Sequence, residues 1–257
     1  MKIARYQLHD AVHYGVLEGE HLERLGGSPF DGIIPVGQTD ALADAKLLCP
    51  LPAPRLFAVG MNYVGHIAEA GAKTPEIPQF FMMPATAAIG PDEAIVRPRE
   101  AQVVHHEAEL AIVIGRKGRR IDIAHALDYV LGYTCANDVS ERVIQNREMG
   151  YGCLLVGKAF DTFCPLGPVI ATGLDAGNLR VQSSVNGTQR QDGNTSDLLF
   201  SVPFIVSYLS QAVTLLPGDV ILTGTPSGVG PLNGGDVCDI TIEGIGTLSN
   251  PVIDEAA

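Results

Sequence analysis

The sequence predicts a β-rich α+β fold in two unequal parts, and three observations point there. Short apolar runs of strand length outnumber stretches with helical periodicity. The 257 residues include 29 glycines and 17 prolines, a supply of turn formers that suits a sheet architecture better than a helix bundle. Pro50-Leu51-Pro52-Ala53-Pro54 is a proline-rich connector, and it divides a small N-terminal domain, residues 1–50, from a larger one, residues 51–257.

The first part reads as strands and turns. Val12, Tyr14, Val16 and Glu18 sit in a hairpin-like stretch, Gly26-Gly27-Ser28-Pro29 marks a loop, and residues 41–48 are expected as a short helix. After the connector, residues 56–60 form an apolar strand ending in glycine, followed by a helix over residues 63–71 with Gly71 as its stop. Residues 103–115 read as one long strand, 124–129 as a short helix, 130–136 as a strand and 138–149 as a helix. Further strands are expected at 168–172, 180–185, 220–223 and 237–242, and a helix interrupted near Pro203 at 198–211.

Bulk properties exclude several function classes. A net charge of -12 argues against nucleic acid as a partner, because phosphate binding needs a positive surface. There is no apolar run of about 18 residues, so no membrane helix is expected. The start, Met1 to Gln7, lacks the apolar core of a signal peptide, and a cytoplasmic location is the default expectation. Cys49, Cys135, Cys153, Cys164 and Cys238 are odd in number and include no Cys-x-x-Cys pair; they read as small reduced residues in or near the core.

Five segments can carry chemistry, and each also has an ordinary reading. In His105-His106-Glu107-Ala108-Glu109-Leu110, alternation along a strand puts Glu107 and Glu109 on one face. Two close carboxylates repel, and a divalent cation removes that penalty; oxygen ligands suit Mg²⁺, Mn²⁺ or Ca²⁺ rather than zinc. Solvated acids at a strand end are the alternative. In Asn137-Asp138-Val139-Ser140-Glu141-Arg142, Asp138 and Glu141 have the spacing of a capping box, yet Asp138, Arg142 and Gln145 also share a helical face, where a guanidinium can fork onto a carboxylate. His66 and Glu69 are three apart on a helix and can meet as a base and its orienting acid, or as an exposed pair. Lys158 stands alone in an apolar stretch, either facing a developing enolate oxygen or lying on the surface. Thr223-Gly224-Thr225-Pro226 runs from a strand into a glycine-rich loop that can hold an anion. Neither a phosphate-binding P-loop, a Gly-x-Gly-x-x-Gly opening nor a Gly-x-Ser-x-Gly elbow occurs.

Together, in this order, the segments resemble the fumarylacetoacetate hydrolase superfamily, in its branch of acylpyruvases and 2-hydroxyhepta-2,4-diene-1,7-dioate isomerases. The run Val59-Gly60-Met61-Asn62-Tyr63 with His66 and Glu69 is similar to one family signature, Glu107-Ala108-Glu109-Leu110 to its metal motif, and Asn137-Asp138-Val139 with Arg142 and Gln145 to a third. Gly157-Lys158 through Pro168, Thr223 to Pro226 and Ile242 to Gly246 match the closing motifs, so the likeness covers about residues 56–252. It implies a mixed, rolled β-sheet domain with flanking helices, behind a small variable N-terminal domain, in a homodimer. It also implies that Glu107, Glu109 and Asp138 bind Mg²⁺ or Mn²⁺, that Arg142, Gln145 and Thr225 hold a small 2-oxo acid, that Lys158 faces the enolate oxygen, and that His66, oriented by Glu69 on a mobile lid, activates water. One position departs: Met83, in Phe81-Met82-Met83-Pro84, stands where the family often has lysine, which puts in doubt a substrate with a second carboxylate there.

On these grounds the expected reaction is metal-dependent hydrolysis of a C–C bond in an acylpyruvate-type 2,4-dioxo acid, releasing pyruvate through an enolate. An oxaloacetate-type decarboxylation or a dienoate isomerisation shares that enolate and is the alternative. A non-catalytic metal-dependent binding protein is a third reading, disfavoured because every polar role is filled.

Overall fold

The computed structural model describes residues 1–256. Strands account for 43% of the chain and helices for 18%, the strand-dominated composition the turn formers predict. A mixed twelve-stranded sheet is the frame. Its main path runs Pro35–Ala41, His21–Leu25, Ala11–Glu18, Lys2–Leu8, Cys164–Ala171, Val130–Asn137, Ala108–Ile114, Val220–Leu222, Leu56–Gly60 and Gln79–Met83. Most neighbours are antiparallel, but Val220–Leu222 and Leu56–Gly60 are parallel. The first 50 residues therefore share one sheet with the rest, through Lys2–Leu8 against Cys164–Ala171. A five-stranded sheet (Thr188–Asn194, Arg180–Val185, Val237–Ile242, Gly246–Asp254, Ile95–Arg97) and a three-stranded one (Ser140–Glu141, Val104–His106, Gly230–Pro231) complete the architecture.

The central strands are apolar throughout because both faces of the sheet are covered. In Ala108–Ile114, Leu110, Ile112 and Ile114 enter one core, and Ala111 and Val113 the other. Leu56–Gly60 divides the same way, Phe57 and Val59 to one side and Leu56 and Ala58 to the other. Among the described residues four α-helices flank the sheets: α1 Val64–Glu69, α2 Arg142–Gly150, α3 Val156–Ala159 and α4 Val202–Ala212.

Several boundaries differ from expectation for identifiable reasons. Residues 41–48 form only a 3₁₀ turn, Leu42–Asp44, because Lys46–Leu47 pairs with Lys2–Leu8 instead. Residues 124–129 lie in a 3₁₀ segment, Ile123–Tyr129. Pro203 does not interrupt α4; it sits in its first turn, where a missing N–H is harmless. The long strand expected at 103–115 is broken at Glu107, and α2 starts at Arg142 rather than at 138. These last two differences shape the site.

Candidate metal centre and its base

The break at Glu107 is where the chain leaves the three-stranded sheet and enters the main one. Its N–H donates to Asn137 Oδ1 (2.9 Å), and its carbonyl accepts from Asp138 N (2.9 Å). Glu107 and Asp138 are thus locked side by side at the ends of paired strands, with Glu109 one residue into Ala108–Ile114. One oxygen from each of the three carboxylates lies within 4.8 Å of the others, and all three residues are buried.

Asp138 does not cap α2. Glu141 does, accepting from Ile144 N at 2.6 Å and from Gln102 and Val103 N at 3.0 Å each. The expected shared helical face is therefore not the geometry: Asp138 sits before the helix and Arg142 and Gln145 on it, yet all three line one cavity of about 480 Å³ with Glu107, Glu109 and Lys158.

Lys158 is 2% exposed, so the surface reading is excluded. Its ammonium donates to Glu107 Oε2 and Asp138 Oδ2, both at 2.7 Å, and to the Asp138 carbonyl at 3.3 Å. All three of its protons are committed to protein oxygens. In this arrangement Lys158 neutralises the carboxylates. Arg142 donates to Glu107 Oε1 at 2.6 Å and to Gln145 Oε1 at 2.8 Å, leaving other N–H groups of its five for a ligand.

The electrostatics follow from burial and these neighbours. Burial raises Glu109 well above the ordinary carboxylate range, and Asp138 and Glu107 push it further. Burial, reinforced by Glu107 and opposed by Lys158, brings Asp138 up to about 6. Burial acts the same way on Glu107, but Lys158 and then Arg142 overcome it and hold that carboxyl well below its usual range. Lys158 is raised: burial works against its charge, and the Asp138 and Glu107 carboxylates prevail. When all three acids are ionised, three acids against two cations leave an excess of one negative charge, and Asp138 Oδ1 is buried without a hydrogen-bond partner. Such an orphan oxygen beside two other carboxylates fits a hard divalent cation, so the donor set could hold a metal.

His66 also lines the cavity. His66 Nδ1 is 3.0 Å from Glu69 Oε2, and Glu69 Oε1 accepts from Gly228 N at 2.9 Å. A carboxylate there keeps the proton on Nδ1, which leaves Nε2 as the lone-pair nitrogen. The preceding Met61 has φ +53°, an uncommon value for a side chain this large, and Asn62 fastens the segment by donating to Thr223 O (2.8 Å) and accepting from Phe200 N (2.8 Å). Gly224 adopts φ +99°, where a Cβ would lie 2.8 Å from that of Asn62, and its N–H donates to Glu109 Oε2 at 2.6 Å. Thr225 lines the cavity, but its hydroxyl donates to Ala108 O (2.9 Å) and accepts from Gln191 Nε2 (2.7 Å).

Two residues with a part in this arrangement escaped sequence reasoning. Glu141 was read only as a partner in a capping box. Gln191 stands in a run of polar residues that looks like a surface loop. Met83 is buried in the second core, and it is not among the residues lining this cavity.

Residues 55–253 match the family model "Fumarylacetoacetate (FAA) hydrolase C-terminal", and residues 1–50 match "Rv2993c-like, N-terminal". The chain belongs to the fumarylacetoacetate hydrolase family. It is 43% identical to the mitochondrial oxaloacetate tautomerase fahd2 of Xenopus laevis over 222 residues, covering 82% of this chain and 69% of that protein. The 5-carboxymethyl-2-hydroxymuconate delta-isomerase of Mycobacterium smegmatis superposes with a TM-score of 0.92 at 44% identity, covering 99% of this chain and 100% of that one. A maleylpyruvate hydrolase of a Sphingobium species, solved with manganese(II) and pyruvate, superposes at 0.84 with 32% identity and full coverage of both chains. Members of this family are enzymes, and the β-rich fold is theirs. Among the described residues no helix is long and apolar enough to cross a membrane.

Proposed function

We propose that this protein catalyses keto–enol tautomerisation of a small 2-oxo acid of the oxaloacetate class, at a site that takes Mg²⁺ or Mn²⁺. The observation that carries the reading is that His66, paired with Glu69, lines the same cavity as the Glu107–Glu109–Asp138 cluster. This is the least that the residues can do. Hydrolysis, decarboxylation and double-bond migration each need the same enolate and one further event.

The residues divide the work as follows. The spare N–H groups of Arg142 hold the substrate carboxylate, and Arg142 in turn positions Gln145. His66 Nε2 exchanges a proton with the carbon beside the ketone: in the enol-to-keto direction the enol O–H is lost and a C–H bond forms, with no change in composition. Glu69 holds the ring by its Nδ1–H and offsets the imidazolium charge that builds between the two transfers. Lys158 and Arg142 keep Glu107 ionised, while Glu109 and Asp138, both raised, give up their protons when a metal binds. A divalent cation bound there would supply Lewis-acid polarisation of the ketone and a positive counter-charge for the enolate.

A second reading, hydrolysis of a 2,4-dioxo acid, ranks below it. Its support is that His66 Nε2 can equally take a proton from water, together with the full-length similarity to a maleylpyruvate hydrolase. Of the three relatives named above, the tautomerase and the isomerase share more identity with this chain than the hydrolase does, which supports placing tautomerisation first.

The test is the decay of enol oxaloacetate, followed by its ultraviolet absorbance, with Mn²⁺ and with chelator. Metal-dependent acceleration supports tautomerisation. Pyruvate release from acetylpyruvate without that acceleration moves the function to hydrolysis, and pyruvate release from oxaloacetate moves it to decarboxylation. No response to any of these acids would sink the 2-oxo acid reading.

A further inference from the structure

Gln191 is fully buried, although Gln189, Arg190 and Asp192 around it are exposed. The cause is a bulge in the hairpin formed by Arg180–Val185 and Thr188–Asn194. Ser183 pairs with Gln191 but Ser184 with Gln189, so Arg190 is the extra residue and the next side chain is turned inward. The bulged strand is pressed onto the site loop: a Cβ at Gly228, where φ is +100°, would lie 2.3 Å from Arg190 O.

Once inside, the Gln191 amide is completely used. Its Oε1 accepts from Ala108 N at 2.9 Å and from His106 Nδ1 at 3.2 Å. Its Nε2 donates to Thr225 Oγ1 and to Pro226 O, both at 2.7 Å. Two acceptor sites at one end and two donor sites at the other are the full capacity of a carboxamide, and among the protein side chains only Asn shares that pattern, on a shorter stem. The two acceptor bonds clamp the chain on either side of Glu107. The donor end turns the Thr225 hydroxyl toward Ala108 O and fixes the loop whose Gly224 N–H holds Glu109.

We propose that Gln191 is a positioning residue for the carboxylate cluster: by joining the backbone beside Glu107 to the loop that holds Glu109, it sets their separation, and so the affinity of the site for a divalent cation. It touches neither the three carboxylates nor the cavity. The inference rests on the reading of that cluster as a metal site. Outer partners of metal ligands commonly control affinity by about 10–100-fold.

Gln191→Met removes all four bonds while keeping an unbranched side chain without adding charge. The measurement is Mn²⁺ affinity by titration calorimetry on the full chain, alongside circular dichroism, thermal unfolding and the kcat and KM of the proposed reaction. Ser183→Ala is the control for the hairpin alone, since it removes only the bond from Gln191 N to Ser183 Oγ (3.1 Å). The expected result is a Mn²⁺ affinity lowered by about tenfold or more in Gln191→Met, with a native spectrum and an unchanged affinity in Ser183→Ala. Should Gln191→Met fail to fold, Thr225→Val breaks the same bridge at its far end, and a loss of several-fold is expected there. Wild-type affinity in the variant that breaks the bridge, or an equal loss in Ser183→Ala, overturns the proposal alone. A wild-type protein that binds no Mn²⁺ overturns it together with the metal reading.

Discussion

Replacing Lys158 by methionine tests the electrostatic account at its centre. The ammonium is buried and makes 2.7 Å contacts with two of the three carboxylates. Methionine fills similar volume, so the perturbation is chiefly the loss of charge. Removing one partner of a buried, hydrogen-bonded ion pair costs about 3–5 kcal/mol, because the remaining charge is left uncompensated. For a chain of this size each kcal/mol moves the melting temperature by about 2–4 °C, so the metal-free variant should melt about 6–20 °C below the parent. With all three acids ionised, as they are when a metal binds, the same change takes the cluster from three acids against two cations to three against one, an excess of two negative charges instead of one. Mn²⁺ should then raise the melting temperature of the variant by more than it raises that of the parent. Thermal unfolding of both proteins, with Mn²⁺ and with chelator, reads out both effects. A metal-free variant that melts with the parent, or one that gains less from Mn²⁺, would refute the view that Lys158 serves to neutralise the cluster.

Three further outcomes can be checked alongside. His66→Ala should lower turnover by about 10²–10⁴-fold while leaving the Mn²⁺-induced rise in melting temperature intact, since His66 is a base and none of the carboxylates; kinetics and unfolding on one preparation separate the two. Glu141→Ala should destabilise the fold by about 2 kcal/mol or more, because it orphans three backbone N–H groups and uncaps the helix that carries Arg142 and Gln145; denaturant unfolding measures it. Asp138 titrates at about 6, above its unfolded value, so in the metal-free protein its protonated form stabilises the fold at low pH and that contribution is lost as pH rises through about 6; Glu109, also raised, acts with the same sign. Metal must displace those protons, so the stabilisation by Mn²⁺ should grow as pH rises from about 5 to about 7.5, and a flat profile would contradict the assignment of these acids as ligands.

How much of this was legible in the sequence depends on whether a residue acts through its neighbours in the chain or across the fold. The Glu107–Glu109 alternation, the His66–Glu69 spacing and the loop from Thr223 are local patterns, and the structure brings all three to one cavity. For Lys158 the sequence leaves a surface position and one facing an enolate oxygen both open, and the structure buries it among the carboxylates. What sequence spacing could not supply is partner choice between distant segments. Capping-box spacing makes Asp138 the expected cap and Glu141 its partner, whereas the N–H groups of Gln102, Val103 and Ile144 all go to Glu141, and Asp138 pairs with Lys158 instead. Alternation over residues 103–115 suggested one strand, whereas Ser140–Glu141 and Gly230–Pro231 capture Val104–His106 into a separate sheet and break it at Glu107. Gln191 was invisible because a one-residue bulge, not its polarity, determines the direction it faces.

The parts of the cavity lining differ in how firmly they are held, and that difference bears on how one fold serves several reactions. The cluster wall hangs on the centre of a sheet covered on both faces, with Glu107, Glu109 and Asp138 at 5%, 2% and 2% exposure. Other parts of the lining come from His66 of the short helix α1 and from Gln79, Met149, Gly152 and Cys153, the last four exposed to solvent. An isomerase and a hydrolase superpose on this chain along nearly its whole length, so the sheet that carries the cluster is common to both kinds of chemistry. On the proposed reading, enolate formation needs only what the carboxylate cluster and His66 provide. We expect what then reaches the enolate, a proton, water or another group, to depend on those exposed residues, where side chains can change without disturbing the core. The residues that distinguish this protein's reaction from those of its relatives are therefore to be sought around α1 and residues 149–154, and substitutions there should alter the ratio of tautomerisation to hydrolysis while Mn²⁺ affinity stays the same.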